Sequence, residues 1–347
     1  MISVQRALRF GSAFARVAAL ALLALSLASF APARTEAATV IKLGTIAPEG
    51  SVWYDALLSL SQRWRKISGG EVELRIYPGG VLGGEDEMVR KMQRRGLDAL
   101  AVSGSGLPAI DSIVDCLNLP LLFDSYGQLE TVRRAIEPEL TSSFEAKGYK
   151  ILNWAEAGWV HFFAKSPVRT LDDLRRQRLW ISSGASYQER LLKQLGFRVV
   201  ALPATDMLTG LQTGMIEAID VPPLFALLDR SFEVANYMTV MRFAPLNAAT
   251  VINLQSWQRI PPQYRDQFLG AAREVAEQLR ERVHGAEQQA IDEMVKRGLH
   301  LVRVDAQTQA EWTAAVKSHY SALSCGRDHP RMLDKVLKLQ RQASGAH

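Results

Sequence analysis

The sequence predicts an α/β protein built as two lobes with a long helix running between them. Three observations predict it. Apolar runs of strand length alternate with amphipathic helical stretches from Thr39 onward, the βαβα order of an α/β sheet. About 310 residues remain once an N-terminal leader is set aside, which is long for one core and natural for two domains of roughly 100–200 residues each. Beyond Pro261-Pro262 a charged, periodic run reaches about Arg297, more helix than one small domain needs.

The elements follow in order. Val40 to Ile46 reads as the first strand and Ser51 to Ile67 as a helix, with Ser51 as N-cap and Gly69-Gly70 as its stop. Val72 to Tyr77 is the next strand, Gly84 to Arg95 a helix and Leu97 to Ser103 a third strand. The pattern resumes with strands at Tyr149 to Ala157 and Val160 to Ala164. It continues through a helix at Tyr187 to Leu195, the strand Val199 to Leu202, a helix at Thr205 to Thr213 and an apolar run Ile216 to Val221, a second α/β unit. Residues 173–184 end a polar helical run and turn into a short apolar segment centred on Trp180, which is either core or the wall of a pocket. The run after Pro262 carries Phe268, Ala271, Val275, Leu279 and Val283 on one stripe, and as a helix it spans roughly 50 Å.

Residues 1–37 read as a secretory signal peptide. Arg6, Arg9 and Arg16 precede the uncharged run Val17 to Ala31, and small-residue sites follow at Ala31-Pro32-Ala33 and Thr35-Glu36-Ala37. The apolar run is short of the roughly 20 residues that span a bilayer, so a soluble, exported chain is expected. Removing this segment takes four arginines and Glu36 from 41 basic and 36 acidic residues, leaving 37 against 35. A surface so near neutrality, without clustered Lys and Arg interleaved with aromatics, argues against a nucleic-acid partner. Cys116 and Cys325 would meet an oxidising compartment, but their separation says nothing of proximity, and two buried thiols are the expectation.

Motifs for catalysis or cofactors are weak. Gly104-x-Gly106-x-x-Ala109 follows a strand and imitates a dinucleotide-binding turn, but Pro108 sits where the helix should form and no acidic residue is suitably placed downstream. Ser105 lacks a complete nucleophile elbow. None of the six histidines pairs with another or with a cysteine at metal spacing, so neither cofactor nor metal is expected. His161, beside Phe162 and Phe163, reads as a strand histidine. Glu156, between Trp154 and Trp159, is the most suggestive carboxylate: a surface charge on an alternating strand, a ligand contact or, least favoured, a general acid. An exported two-lobed protein without catalytic signature is, on this basis, a receptor that closes over a solute.

From Ile41 onward the chain resembles the substrate-binding subunits of tripartite ATP-independent periplasmic (TRAP) transporters, of the dicarboxylate-receptor type. The residues that carry the resemblance are Leu43-Gly44 with Ala47-Pro48, Arg75 to Gly83, Gly96-Leu97-Asp98, Leu119 to Phe123, Lys147-Gly148-Tyr149, Pro167 to Leu174, and Leu211 to Gly214 with Glu217-Ala218. The resemblance implies a two-lobed periplasmic solute-binding fold with hinge strands, the run from Pro262 as its spine helix, and a cleft for an organic acid. It implies lobe one as about 38–157 with 247–287 and lobe two as about 158–246 with 288–347. The partners it implies are a small-molecule solute and the membrane permease subunits, with the receptor itself a monomer.

The family's usual carboxylate anchor, an arginine, falls on Trp180 when aligned on Asp173-Leu174; a second arginine falls on Val160 and an asparagine on Val221. An indole cannot replace a guanidinium electrostatically, but it stacks on planar groups and holds cations on its face. A branch of the family with tryptophan here and Trp-Ala-Glu in the preceding strand is the closer match. Arg178 would share a strand face with Trp180 and is a candidate displaced anchor. The other cleft candidates, from matching strand ends, are Trp53, Ser103, Ser105, Glu156, Ser183, Val221 and Asn247. Two alternatives stand beside an organic-acid receptor: a receptor of the same fold for an aromatic, amphipathic or cationic solute, and an exported enzyme using Glu156 or His161. A scaffold protein that keeps the fold without a solute is a further class.

Overall fold

The computed structural model describes residues 38–104, 106–183 and 186–344. The proposed signal peptide and Ser105 lie outside the described residues. β1 (Thr39–Thr45) pairs in parallel with β2 (Val72–Tyr77) and with β3 (Ala99–Val102). The helix Val52–Ile67 connects the first two strands, and Ser51 caps it by accepting from the Tyr54 N–H at 3.1 Å. Its buried face, Ala56, Leu57, Leu60 and Trp64, follows the helical spacing of the sequence.

A second set of strands repeats the theme. β4 (Tyr149–Ala164) and β7 (Ala218–Val221) are antiparallel, while β5 (Arg178–Ser182) lies parallel to both β7 and β6 (Arg198–Leu202). β8 (Tyr237–Val240) and β10 (His300–Arg303) form a parallel pair beside the end of β4. β9 (Ala244–Asn253) runs antiparallel between β3 and β4. The strands join in the order β2-β1-β3-β9-β4-β7-β5-β6, so β4 links the two sets.

β4 corrects the expectation of two separate runs. The chain stays extended through Gly158 instead of breaking there. It changes register against β9 between Glu156 and Gly158. Gly158 takes φ +121°, and a Cβ there would lie 3.2 Å from Pro222 Cβ, so glycine lets the strand bend beside the connection that follows β7.

The helix Pro262–Lys296, 35 residues or roughly 52 Å long, packs along β4 and against the helix Val52–Ile67. All five stripe residues named from the sequence are buried on it. Trp64 stacks on Phe268 with ring centroids 4.3 Å apart, fixing the two helices against each other. The helix Tyr126–Ala146, β9 and the C-terminal helices carried no sequence expectation.

Cys116 and Cys325 are joined in a disulfide, with Cα atoms 5.0 Å apart, which corrects the expectation of two thiols. The bridge ties the turn Ser112–Leu117 to the short helix Ser324–Asp328, both cysteines being fully buried. Pro108 likewise does not prevent a helix: Gly106–Ile110 forms one, with proline in the first turn, where its missing N–H costs nothing.

Candidate functional site

A chamber of about 620 Å³ opens where the carboxyl ends of both strand sets meet. Thr45 at the end of β1 and Ser103 after β3 line one side; Trp180 and Ser182 of β5 and Val221 of β7 line the other. Strand ends are where open α/β sheets bind ligands, because loops diverge there and leave a crevice. The wall is mainly apolar, with Trp53, Phe162, Phe225 and Phe243 among its aromatic residues.

Trp180 is half-buried on the chamber wall, and its Nε1 donates to the Leu202 carbonyl at 3.0 Å. That bond spends the indole's polar atom on β6 and leaves the ring as an apolar wall. Trp53 lines the opposite side, its Nε1 buried without a hydrogen-bond partner among the described residues. Ser103 donates from its backbone N–H and its hydroxyl to Glu85 Oε1, at 2.8 and 3.0 Å, while Gly106 N–H donates to Glu85 Oε2 at 2.8 Å. Glu85 thereby closes the loop that resembled a nucleotide-binding turn, and the amides a phosphate would need are already bonded to a carboxylate.

Four candidates fall elsewhere. Arg178 stands at the far end of β5, where its guanidinium pairs with Glu217 at 2.8 Å and donates to the Gly214 carbonyl at 2.7 Å; it is not the displaced anchor. Asn247 is fully buried and donates from Nδ2 to Leu117 O and Asn118 Oδ1, at 3.1 and 2.9 Å, which makes it a strut between β9 and the disulfide turn. Ser183 lies beyond the lining and bonds to β6 through its backbone N–H.

Glu156 is neither a surface charge nor a chamber residue. Its side chain is 3% exposed and accepts from His284 Nε2 at 2.6 Å, while Arg280 Nε approaches the other oxygen at 3.5 Å without hydrogen-bond alignment. Both partners stand on the long helix, so the carboxylate fastens β4 to it. Tyr126 stacks on His284 with centroids 3.5 Å apart and donates to Glu287 Oε2 at 3.0 Å. Burial pushes Glu287 up, but hydrogen bonding from His161 and the charge of Arg242 bring it below the usual carboxylate range. His161 bonds to the Thr239 carbonyl and faces Glu287, away from the chamber. Neither Glu156 nor His161 is therefore placed to act on a bound solute.

One chamber residue had no signal beyond its place in an apolar strand. Asp220 of β7 sits directly across from Phe162 of β4, and burial raises its carboxyl to about 7. Among the described residues no group of His, Cys, Asp and Glu is arranged to hold a metal ion, and no helix is long and apolar enough to cross a membrane.

Residues 43–324 match the family described as bacterial extracellular solute-binding protein, family 7. The chain belongs to that family. It is 24% identical over 235 residues to the 2,3-diketo-L-gulonate-binding periplasmic protein of Escherichia coli, covering 67% of this chain and 71% of that one. It is 26% identical over 249 residues to the C4-dicarboxylate-binding periplasmic protein of Rhodobacter capsulatus, covering 70% and 73%. Among solved structures, a TRAP periplasmic solute-binding protein from Desulfovibrio salexigens with bound orotic acid superposes with a TM-score of 0.80 at 18% identity, covering 89% of this chain and 99% of that one. A Haemophilus influenzae counterpart with bound L-gulonate gives 0.80 at 21%, covering 88% and 99%. The fold is therefore the two-lobed one of these proteins.

Proposed function

We propose that this protein is the extracytoplasmic receptor of a TRAP transporter: it captures a small organic solute in the chamber between its lobes and hands it, unchanged, to an ion-gradient-driven permease. The chamber carries the proposal, because its wall is assembled from strand ends of both sets, and a solute bound there would hold the lobes together. A volume of about 620 Å³ suits a small organic molecule. Lobe one comprises about 38–157 with 247–287 and lobe two about 158–246 with 288–347, so the bend at Gly158 falls on the boundary. Residues 1–37 direct export and are removed. The receptor acts as a monomer.

The test is calorimetric titration of the purified protein with a panel of organic acids, amines and neutral solutes, with mass spectrometry of the solute afterwards and small-angle scattering with and without it. A saturable solute recovered intact, together with a more compact particle, is the expected result. Conversion of the solute, or binding without compaction, would overturn the assignment.

A further inference from the structure

The ionisable side chains lining the chamber are predominantly acidic. Glu85, Asp86, Asp115 and Asp220 stand against Arg175 and His319. Nearly all are already committed to partners within the protein. Glu85 holds the Ser103 and Gly106 N–H groups, Asp86 pairs with Arg90 at 3.0 Å, and Asp115 accepts from the Ser324 hydroxyl. The Arg175 guanidinium pairs with Asp172 at 2.7 Å, donates to the Leu195 carbonyl at 3.2 Å and lies over the Phe197 ring; His319 Nδ1 is bonded to the Ala315 carbonyl at 2.8 Å. Among the described residues no lysine lines the chamber. Among the described residues the wall thus offers a bound anion no cationic side chain without a partner in the protein.

Asp220 is the exception. Among the described residues its side chain has no hydrogen bond or ion pair with any other residue, although it lies in a wall of apolar groups. The residue is half-buried and lines the chamber, so its carboxylate, unpartnered within the protein, is open to a cation that enters. The surroundings are aromatic. Phe162, directly opposite on β4, packs against Phe243 and Trp312 with centroids 4.7 and 5.7 Å away, and all three rings line the chamber. A single carboxylate among aromatic rings favours an organic ammonium, which gains a counter-ion and ring faces together, and disfavours a carboxylate, which would meet a like charge with nothing to offset it.

We propose that the solute is an organic cation with an apolar body, its ammonium group paired with Asp220 and its hydrocarbon or aromatic portion held against the chamber's rings. This rests on the receptor assignment above and narrows its solute class. It also separates the protein's solute class from the orotic acid and L-gulonate bound to the neighbours that share its fold.

Three probes of one size isolate the charge: phenethylamine, phenylacetate and phenethyl alcohol, titrated by calorimetry at pH 7.5 into the full-length mature protein and into Asp220→Asn. The amine should bind at least tenfold more tightly than the alcohol, the acid more weakly than either, and Asp220→Asn should bring amine and alcohol within about twofold. A circular dichroism melt confirms that the variant is folded. Tighter binding of the acid, equal binding of amine and alcohol, failure of all three, or an amine preference that survives Asp220→Asn would each overturn the proposal. Native mass spectrometry of protein expressed into a periplasm separates the two claims: a retained small molecule of acidic composition would sink the cation while leaving the receptor standing.

Discussion

Replacing Cys116 and Cys325 together by alanine removes a crosslink between residues 209 positions apart. In the chain-entropy account, closing a loop of that length takes about 18 cal/mol/K from the unfolded chain, or ~5 kcal/mol at 25 °C. A protein of this size loses on the order of 0.6 kcal/mol per degree near its midpoint, so the double variant should melt about 8 °C lower than the parent. The two cysteines are fully buried in a turn and a helix packed on each other, so native contacts change little and the loss falls mainly on the unfolded state. The assay is a circular dichroism melt of both proteins, paired with thiol titration of the denatured, unreduced parent. Two titratable thiols in the parent, or melting points within about 2 °C of one another, would refute the reasoning.

Other substitutions test the remaining parts. Glu156→Ala removes the acceptor of His284 from a buried site while Arg280 keeps Glu277 and Glu130, so it should cost about 1–3 kcal/mol in urea denaturation; a loss under about 0.5 kcal/mol would mean that the pairing does not hold β4 to the long helix. Arg178→Ala should leave solute affinity within about twofold, since its guanidinium serves Glu217 and Gly214, whereas Trp180→Ala should weaken binding about tenfold; the reverse order would restore Arg178 as an anchor. Gly158→Ala forces a Cβ into left-handed backbone against Pro222 and should destabilise by about 1–3 kcal/mol, an effect read by the same denaturation. Asp220 keeps its proton to about pH 7 when folded and loses it near 3.8 when unfolded. The folded state therefore binds the extra proton, and the stability this group contributes falls as pH rises from about 4 to above 7, by at most ~4 kcal/mol and less because part of the group faces the chamber. Asp220→Asn should flatten that decline in solute-free protein, and an unchanged profile would place the titration elsewhere.

The strands and the long helix were legible because their apolar residues recur at the period of each element: Val72 to Tyr77 matches the observed strand at both ends, and the five stripe residues all face the core. The continuity of β4 was not, because Gly158 reads as a break in one chain, while Pro222, beside which the strand bends, lies far away in sequence. Trp180 and Trp53 could be placed on the chamber from strand and loop ends. Glu156 and Asn247 could not be placed correctly, since their partners, His284 and Leu117, lie over a hundred residues away in each case. Asp220 escaped because a lone acid in an apolar strand carries no pattern until the opposing strand is known. The disulfide escaped for the same reason, as spacing alone brings no two cysteines together.

The most direct test of a solute held between the lobes is a crystal structure of the protein grown with the tightest-binding solute from the titrations. Electron density for that solute between Trp53 and Ser103 on one side and Trp180 and Val221 on the other is the expected result. A solute bound outside this chamber, or a chamber filled by the protein's own side chains while the solute sits elsewhere, would contradict the account.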